Sequence, residues 1–437
     1  MLITSGLLSV LPTLNKVFEK LLHSQLTAFL DENDILSKQQ FGFRKKHSTS
    51  HAVSCLHEKL VNNYEKGDLS AVLFIDLKSA FDTIDFDILL GKLEHYGFRN
   101  NVLNLLKSYL LDRKQYVNCE QMKSEILSVL CGVPQGSVLG PLLFIIYIND
   151  IFDCTQFDCV LFADDAALVV TAKNLKQLTK LLKNESNKFF DWLVSNKLTL
   201  NYKKTKYMIF SRKGTPKKLL KKINLNINKN NIKQIDTMKY LGVLLDSALK
   251  WDKHLQSLLT KLAKANGIFY KIRNLVPRKI ILLLYNALVG SYLRYAITSW
   301  GSCSSTLLSA LQAAQNKIIK TIFFKPYDYN ISSDYLLLKI FDVENVYKHE
   351  VNKFIHSVNY QYSPDAFFNF FEPISHSYST RQNENACFTT VRPKTELGKK
   401  SLRFSGVKQW NKLPLSLKEI SEPKKFNKEF RKLTFNF

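Results

Sequence analysis

Two adjacent carboxylates, Asp164 and Asp165, interrupt the apolar run "VLFADDAALVV" from Val160 to Val170, and a third, Asp76, closes the apolar run "LSAVLFIDL" from Leu69 to Leu77. Two unit charges about 4 Å apart repel by ~4 kcal/mol at an effective dielectric of 20. Ionised acids brought together therefore call for a cation. Oxygen ligands with nothing softer beside them suit Mg²⁺, which takes one or two carboxylates and fills its shell with water and substrate phosphate. A pair of such ions serves in-line phosphoryl transfer: one lowers the pKa of an attacking hydroxyl and the other holds the leaving oxygen. Asp is also common at tight turns, so "DD" alone reads better as a solvated acidic turn, with Asp76 an unrelated strand-end residue.

The elements around these acids decide between the two. "LSAVLFIDL" is short, apolar and β-branched, the pattern of a buried strand ending at Asp76. "VLFADDAALVV" reads as two short strands joined at the acidic pair; paired beside the first strand, they bring three acids to one sheet edge. An amphipathic helix is expected over 14–30, further helices at about 85–96 and 101–111, and extended pieces near 115–118 and 126–130. "GVPQGSVLGPLLFIIYINDIF" (Gly132–Phe152) begins as a loop and becomes a helix with Pro141 in its first turn. A long helix carries Leu175, Leu178, Leu182, Phe189 and Leu193 on one face. "KYMIF" is a strand and "TMKYLGVLLD" a hairpin. After Trp251 helices take over, with Leu255, Leu258, Leu259, Leu262 and Phe269 in a stripe that leaves Lys261, Lys264 and Lys271 outside. The Lys/Asn-rich stretch from Arg212 to Lys233 reads as a link, and the last 110 or so residues as mixed structure with an exposed segment near 376–393.

Composition bounds the partners. The 437 residues are 46% hydrophobic and 12% aromatic, enough for packed domains rather than disorder. Lys and Arg exceed Asp and Glu by 62 to 37, a formal charge of +25, which points to a polyanion. Seven cysteines, an odd number with no C-x-x-C, speak against a disulfide framework or zinc ribbon and for an intracellular chain. The N-terminus lacks a basic signal region, and the longest apolar runs are about half the ~20 residues a membrane span needs. A soluble protein without membrane association is expected.

The acids have specific neighbours. "FIDLKSAFDTI", "GVPQGSVLGPLLFIIYIND", "FADDAAL" and "KLTLNYKKTKYMIF" follow one another, with "LLSVLPTLNKVFEKLL" and "SKQQFGFRKKHST" upstream. In this order they resemble the motifs of reverse transcriptases, in particular those of non-LTR (LINE-like, jockey-type) retrotransposons. "MKYLGVLLDSALKWDKHL" and "FSGVKQWNKLPLSLKEISEPKKFNKEFRK" extend the resemblance over nearly the whole chain.

The resemblance implies an α+β right-hand polymerase with fingers, a ferredoxin-like palm, a helical thumb and a mixed C-terminal region. Residues 1–70 would be partial fingers, 71–250 the palm with inserted fingers elements, 251–325 the thumb, and 326–437 a region of unknown role. It implies that Asp76, Asp164 and Asp165, with the carbonyl of Leu77, bind two Mg²⁺ ions, Mn²⁺ being an alternative. Phe81 falls at the steric-gate position that rejects a 2′-hydroxyl. Gln135 and Gly136 resemble the loop that contacts the incoming nucleotide, Arg44 the fingers cation on the triphosphate, and Lys204 a group near the leaving pyrophosphate. RNA template, DNA primer or target and dNTPs are the implied partners, in nucleus or cytoplasm. The basic link and thumb lysines would track an RNA–DNA hybrid through its phosphates. The chain starts inside the first polymerase motif, with no endonuclease, zinc knuckle or RNase H acids, so a 5′-truncated copy or a partial gene model is expected. The competing readings are an inactive remnant that only binds nucleic acid, and another palm enzyme such as an intron maturase or an RNA-copying RNA polymerase.

Overall fold

The computed structural model describes residues 9, 11–119, 122–211, 223–374 and 386–435. These divide into two compact units: Met1–His47 with Leu69–Ile209 and Gly214–Ile235, and Ser48–Asp68 with Phe210–Lys213 and Asp236–Phe437.

The first unit is built on a six-stranded sheet in the order β6-β7-β1-β8-β10-β9. Its strands are β1 (Leu69–Ile75), β6 (Asp158–Phe162), β7 (Asp165–Ala172), β8 (Lys206–Phe210), β9 (Leu225–Ile227) and β10 (Asn230–Gln234); β2 to β5 are two-residue pieces between Lys114 and Ser128. β1 is buried from Ser70 to Ile75, so both its faces are covered, and its sequence is accordingly apolar without alternation. β7 lies antiparallel to β1 on one side and to β6 on the other. The sheet is mixed, because β10 runs parallel to β8.

Numbering helices of eight residues or more, this unit contains α1 (Thr13–Glu32), α3 (Phe86–His95), α4 (Asn100–Leu110), α5 (Gly140–Tyr147) and α6 (Leu175–Ser195). α6 packs on β7, β1 and β9 through Leu178, Leu182, Phe189 and Leu193, as the 3.6-residue spacing predicts. α5 is buried at every residue but Pro141, which explains why "LLFIIY" shows no polar face. One expectation is corrected. The Lys/Asn-rich stretch is not a link throughout: residues 212–222 lie outside the described residues, but Leu225–Gln234 folds as a hairpin that extends the sheet. Its alternating Leu225, Ile227 and Ile232 are buried, a strand signal hidden among lysines and asparagines.

The second unit is mainly helical: α2 (Thr49–Lys66), α7 (Asp252–Ile272), α8 (Arg278–Tyr285), α9 (Ser305–Ile322), α10 (Val343–Asn359) and α11 (Pro423–Phe435), with the hairpin β11 (Thr237–Tyr240) and β12 (Val243–Asp246). α7 packs on α9 through the expected apolar stripe, leaving Lys261, Lys264 and Lys271 exposed. The last 110 residues are more helical than the sequence suggests. No helix among the described residues is long and apolar enough to cross a membrane.

His254 in this unit is buried between Trp251 and Trp300, with ring centroids 6.0 and 5.7 Å away, and its Nδ1 accepts from the Leu244 N–H at 3.4 Å. Burial, helped by the charge of Lys261, pushes its pKa down from 6.5 to about 4. The unfolded chain therefore binds a proton below pH 6.5 that the folded chain refuses until about pH 4. Stability from this residue is complete above pH 6.5, falls as pH drops toward 4, and levels off below. The shift is worth on the order of 3 kcal/mol. Urea unfolding at pH 7 and pH 4 should show this loss in the wild type and a distinctly smaller one in His254→Gln. Equal losses in both chains would show that His254 contributes nothing.

Candidate active site

The pairing of β1 with β7 runs from Leu69↔Ala172 to Ile75↔Ala166. One step further, Asp76 comes opposite Asp165. Residues directly opposite across antiparallel strands share a face, with Cβ atoms about 5 Å apart. Asp164 precedes β7 in the two-residue connection to β6, whose last pair is Phe162↔Asp165. Strand register alone thus gathers acids that are 88 and 89 positions apart in sequence.

Asp76 is held from the other side. The Asn201 side chain donates to its Oδ1 at 2.9 Å, and the Asn201 N–H donates to its carbonyl at 2.8 Å. Leu77 and Leu200 form an isolated antiparallel bridge, with the Lys78 N–H donating to the Thr199 carbonyl at 2.9 Å. In this pattern the C=O of Leu77 points away from residue 200, toward the side of β7. The Lys204 ammonium stands 3.5 Å from Asp76 Oδ2, its side chain 70% exposed. An ion pair this open contributes little stability.

Burial and the neighbouring charge of Asp76 raise the pKa of Asp164, which Lys204 partly offsets. Asp165 reaches solvent, but desolvation on its protein side and the charges of Asp164 and Asp76 push it up to about 6. Both shifts report carboxylates that folding takes out of water, with neighbouring negative charge adding to the effect. Among the described residues no group of three or more His, Cys, Asp or Glu side chains is arranged to hold a metal ion. The donor set nevertheless suits a hard divalent cation: three carboxylates and the Leu77 carbonyl at one strand edge, with repulsion that a cation would relieve and that Lys204 now partly relieves.

The other expected residues fall into two groups. Phe81 stacks on Phe144 of α5, centroids 4.5 Å apart, and meets Phe43 edge-on at 6.1 Å. The loop with Gln135 and Gly136 is stitched to the turn after Phe81: Val133 N–H donates to the Phe81 carbonyl at 2.9 Å, Gly132 N–H to the Ile84 carbonyl at 2.8 Å, and Gln135 Nε2 to Asp82 Oδ1 at 2.8 Å. The Gln135 side chain is thus engaged by Asp82. Gly136 has φ +110°. Arg44 directs Nη1 to the Ser37 carbonyl at 2.7 Å.

Sequence reading missed four residues. Gln40 is buried, and its Oε1 accepts from Gly42 N–H at 2.8 Å and Ala163 N–H at 3.2 Å. It fastens the turn before Asp164, where Ala163 takes the left-handed conformation, φ +56°. Phe43, exposed and left-handed at φ +55°, faces Phe81. Asn201 holds Asp76, and Asp82 holds Gln135. All four lie inside the quoted motifs; their partners are far away in sequence, so no local pattern marks them.

Residues 6–245 match the family model described as reverse transcriptase (RNA-dependent DNA polymerase), more than half of the chain. The chain belongs to the reverse transcriptase family, and its mixed sheet and helices fit a right-hand polymerase. It is 28% identical over 335 residues to the probable RNA-directed DNA polymerase from transposon X-element of Drosophila melanogaster, covering 72% of this chain and 35% of that protein. To the RNA-directed DNA polymerase from mobile element jockey of the same organism it is 26% identical over 332 residues, covering 73% and 35%. The resemblance to LINE-like, jockey-type reverse transcriptases is borne out. The chain spans about a third of the length of these relatives. A telomerase from Candida tropicalis, solved with a TWJ fragment of telomeric RNA, superposes with TM-score 0.40 at 12% identity over 96% of this chain and 57% of that one, too slight a likeness to decide anything.

Proposed function

We propose that this chain is an RNA-directed DNA polymerase that joins dNTPs to a primer 3′-hydroxyl on an RNA template, inside the cell in nucleus or cytoplasm. The observation that carries the reading is the β1–β7 register, which sets Asp76 opposite Asp165 with Asp164 in the adjoining turn. Asp76, Asp164, Asp165 and the Leu77 carbonyl would hold Mg²⁺. Two such ions acidify the 3′-hydroxyl and steady the leaving oxygen when bound. The 3′-oxygen attacks the α-phosphorus as the bond to the β-phosphate oxygen breaks, and pyrophosphate departs. Asn201 keeps Asp76 from rotating away. Lys204, on a flexible exposed stem, can swing from Asp76 to the pyrophosphate and give it charge or a proton. Arg44 serves the triphosphate, and Gln135 with Gly136 lines the nucleotide's path. The six-stranded sheet serves as palm and the helices after Trp251 as thumb.

A second reading, a remnant that binds nucleic acid without catalysis, is favoured by one observation: Asp76 is engaged by Lys204 and Asn201. Primer extension on an RNA template with dNTPs and Mg²⁺ separates the two. Extension by the wild type supports the first reading; RNA retention without any extension supports the second.

Phe81 carries a prediction of its own. Its ring lies flat on Phe144 and is held at the edge by Phe43, so it is a fixed wall. Phe81→Ala should raise ribonucleotide incorporation relative to deoxynucleotide by about tenfold or more, while Phe81→Tyr, which keeps the ring, should not. Unchanged discrimination in single-nucleotide extension by the Ala variant would remove the gate from this position.

A further inference from the structure

The helical unit carries an aromatic, basic surface remote in sequence from the acids. Arg273, just past α7, donates through Nη1 to the Thr321 carbonyl in the last turn of α9 at 3.0 Å, which brings the C-terminal ends of the two helices together. Its guanidinium lies 4.4 Å from the ring centroids of both Tyr270 and Phe324. Further cation–ring pairs follow: Arg278 on Phe323 at 4.7 Å, Lys320 on Tyr327 at 5.7 Å, and Lys325 on Tyr329 at 4.2 Å.

Three of these rings are presented outward: Tyr270 is 63% exposed, Phe324 57% and Tyr327 94%. Phe324 also adopts the left-handed conformation, φ +51°, immediately after the C-cap Phe323 of α9. That position ordinarily favours glycine, and a bulky residue there costs about 1–2 kcal/mol. The chain thus holds a large ring in a strained, solvent-facing place, an arrangement that packing alone does not reward. Charge has one sign here: residues 270–280 and 317–329 contain four and three Lys or Arg respectively, against the single acid Asp328.

We propose that this surface binds single-stranded RNA, with bases stacking on Tyr270, Phe324 and Tyr327 and phosphates drawn to the cations between them. Outward rings interleaved with Lys and Arg are the combination that holds unpaired strands without reading sequence, since every base has a π-face. A duplex, with its bases already stacked, would leave the rings idle. The cations serve twice: each fixes a ring face and offers charge to a phosphate. Exposed Leu275 and Leu283 nearby are what a membrane-binding reading would use instead, so lipid enters the test.

The test uses the full chain, a labelled oligouridylate of roughly twelve nucleotides, a pre-annealed short primer–template, and vesicles of phosphatidylcholine and phosphatidylserine. The double variant Phe324→Ala/Tyr327→Ala should weaken oligouridylate binding about tenfold or more. Tyr327→Phe should bind like the wild type, and Lys320→Gln/Lys325→Gln should flatten the salt dependence. Single-nucleotide extension of the annealed primer should persist in the Tyr327→Ala and Tyr327→Phe variants if the chain is active; if it is inactive, the binding measurements stand unaffected. Tyr327→Ala alone, at a residue almost wholly in solvent, guards against misfolding of the double variant. Unchanged RNA affinity in the Ala variants would overturn the proposal. So would equal losses in Tyr327→Phe and Tyr327→Ala, or loss of vesicle binding with RNA binding intact.

Discussion

Asp164→Ala should reduce primer extension about a thousandfold or more while leaving retention of an RNA–DNA hybrid within about twofold of wild type. A metal-held nucleophile and leaving group contribute several kcal/mol to such a step, and ~4 kcal/mol corresponds to about a thousandfold in rate. Binding is expected to survive because nucleic-acid affinity resides in basic side chains, and removing an acid from a crowded acidic edge lowers repulsion toward phosphate. Desolvation and the neighbouring acidic charge, which together raise the pKa values of Asp164 and Asp165, disfavour the Asp164 carboxylate in the folded chain, so the variant's fold should be at least as stable as the parent's. Gel retardation, thermal unfolding and extension with dNTPs check the three parts. Extension at wild-type rate would remove Asp164 from the chemistry.

Gly42→Ala is the second large effect, and it works through backbone position. A Cβ at Gly42 would lie 2.3 Å from the Ala163 nitrogen and 3.0 Å from its Cα, backbone atoms that cannot turn aside. To fit, residues 39–42 must lift away from β6. They are held there by Phe41 N–H donating to the Leu161 carbonyl at 2.7 Å, Leu161 N–H to the Gln39 carbonyl at 3.0 Å, and Ala163 N–H to Gln40 Oε1 at 3.2 Å. The turn that fixes Asp164 moves with them. Displacement of a reacting constellation by about 1 Å can cost a hundredfold, and a loss of that order in kcat is expected. Gly91→Ala is the control, because nothing lies within 4 Å of its Cβ and Ala in a helix is worth about 0.5–1 kcal/mol over Gly. Should Gly42→Ala extend primers normally, the clasp on Ala163 has no part in catalysis.

The strands and most helices were legible because their apolar patterns are strong: β1, β6 and β7 read as short apolar runs, and α6 and α7 as helical stripes. The meeting of the acids at one sheet edge was legible because Asp76 closes one apolar run and Asp164 and Asp165 interrupt another. Gln40, Asn201 and Asp82 were not, since each acts on a group brought near only by folding: the Ala163 backbone, the Asp76 carboxylate and the Gln135 amide. The hairpin Leu225–Gln234 was hidden by composition, its three buried side chains outnumbered by polar neighbours on the opposite face. The direction of Gln135, toward Asp82 rather than open space, is likewise a matter of loop geometry.

The contact of Gln39–Phe41 with β6 also has a kinetic consequence. The β6–β7 hairpin closes over two residues and can form early, whereas its clasp arrives from a segment some 120 positions away in the chain. Long loops close slowly and late. A newly made chain should therefore display both hairpin acids well before they are locked in place, so catalytic competence should emerge with the final phase of refolding. The docked segment meanwhile occupies the outer border of the sheet, where unpaired backbone would otherwise recruit a neighbouring polypeptide.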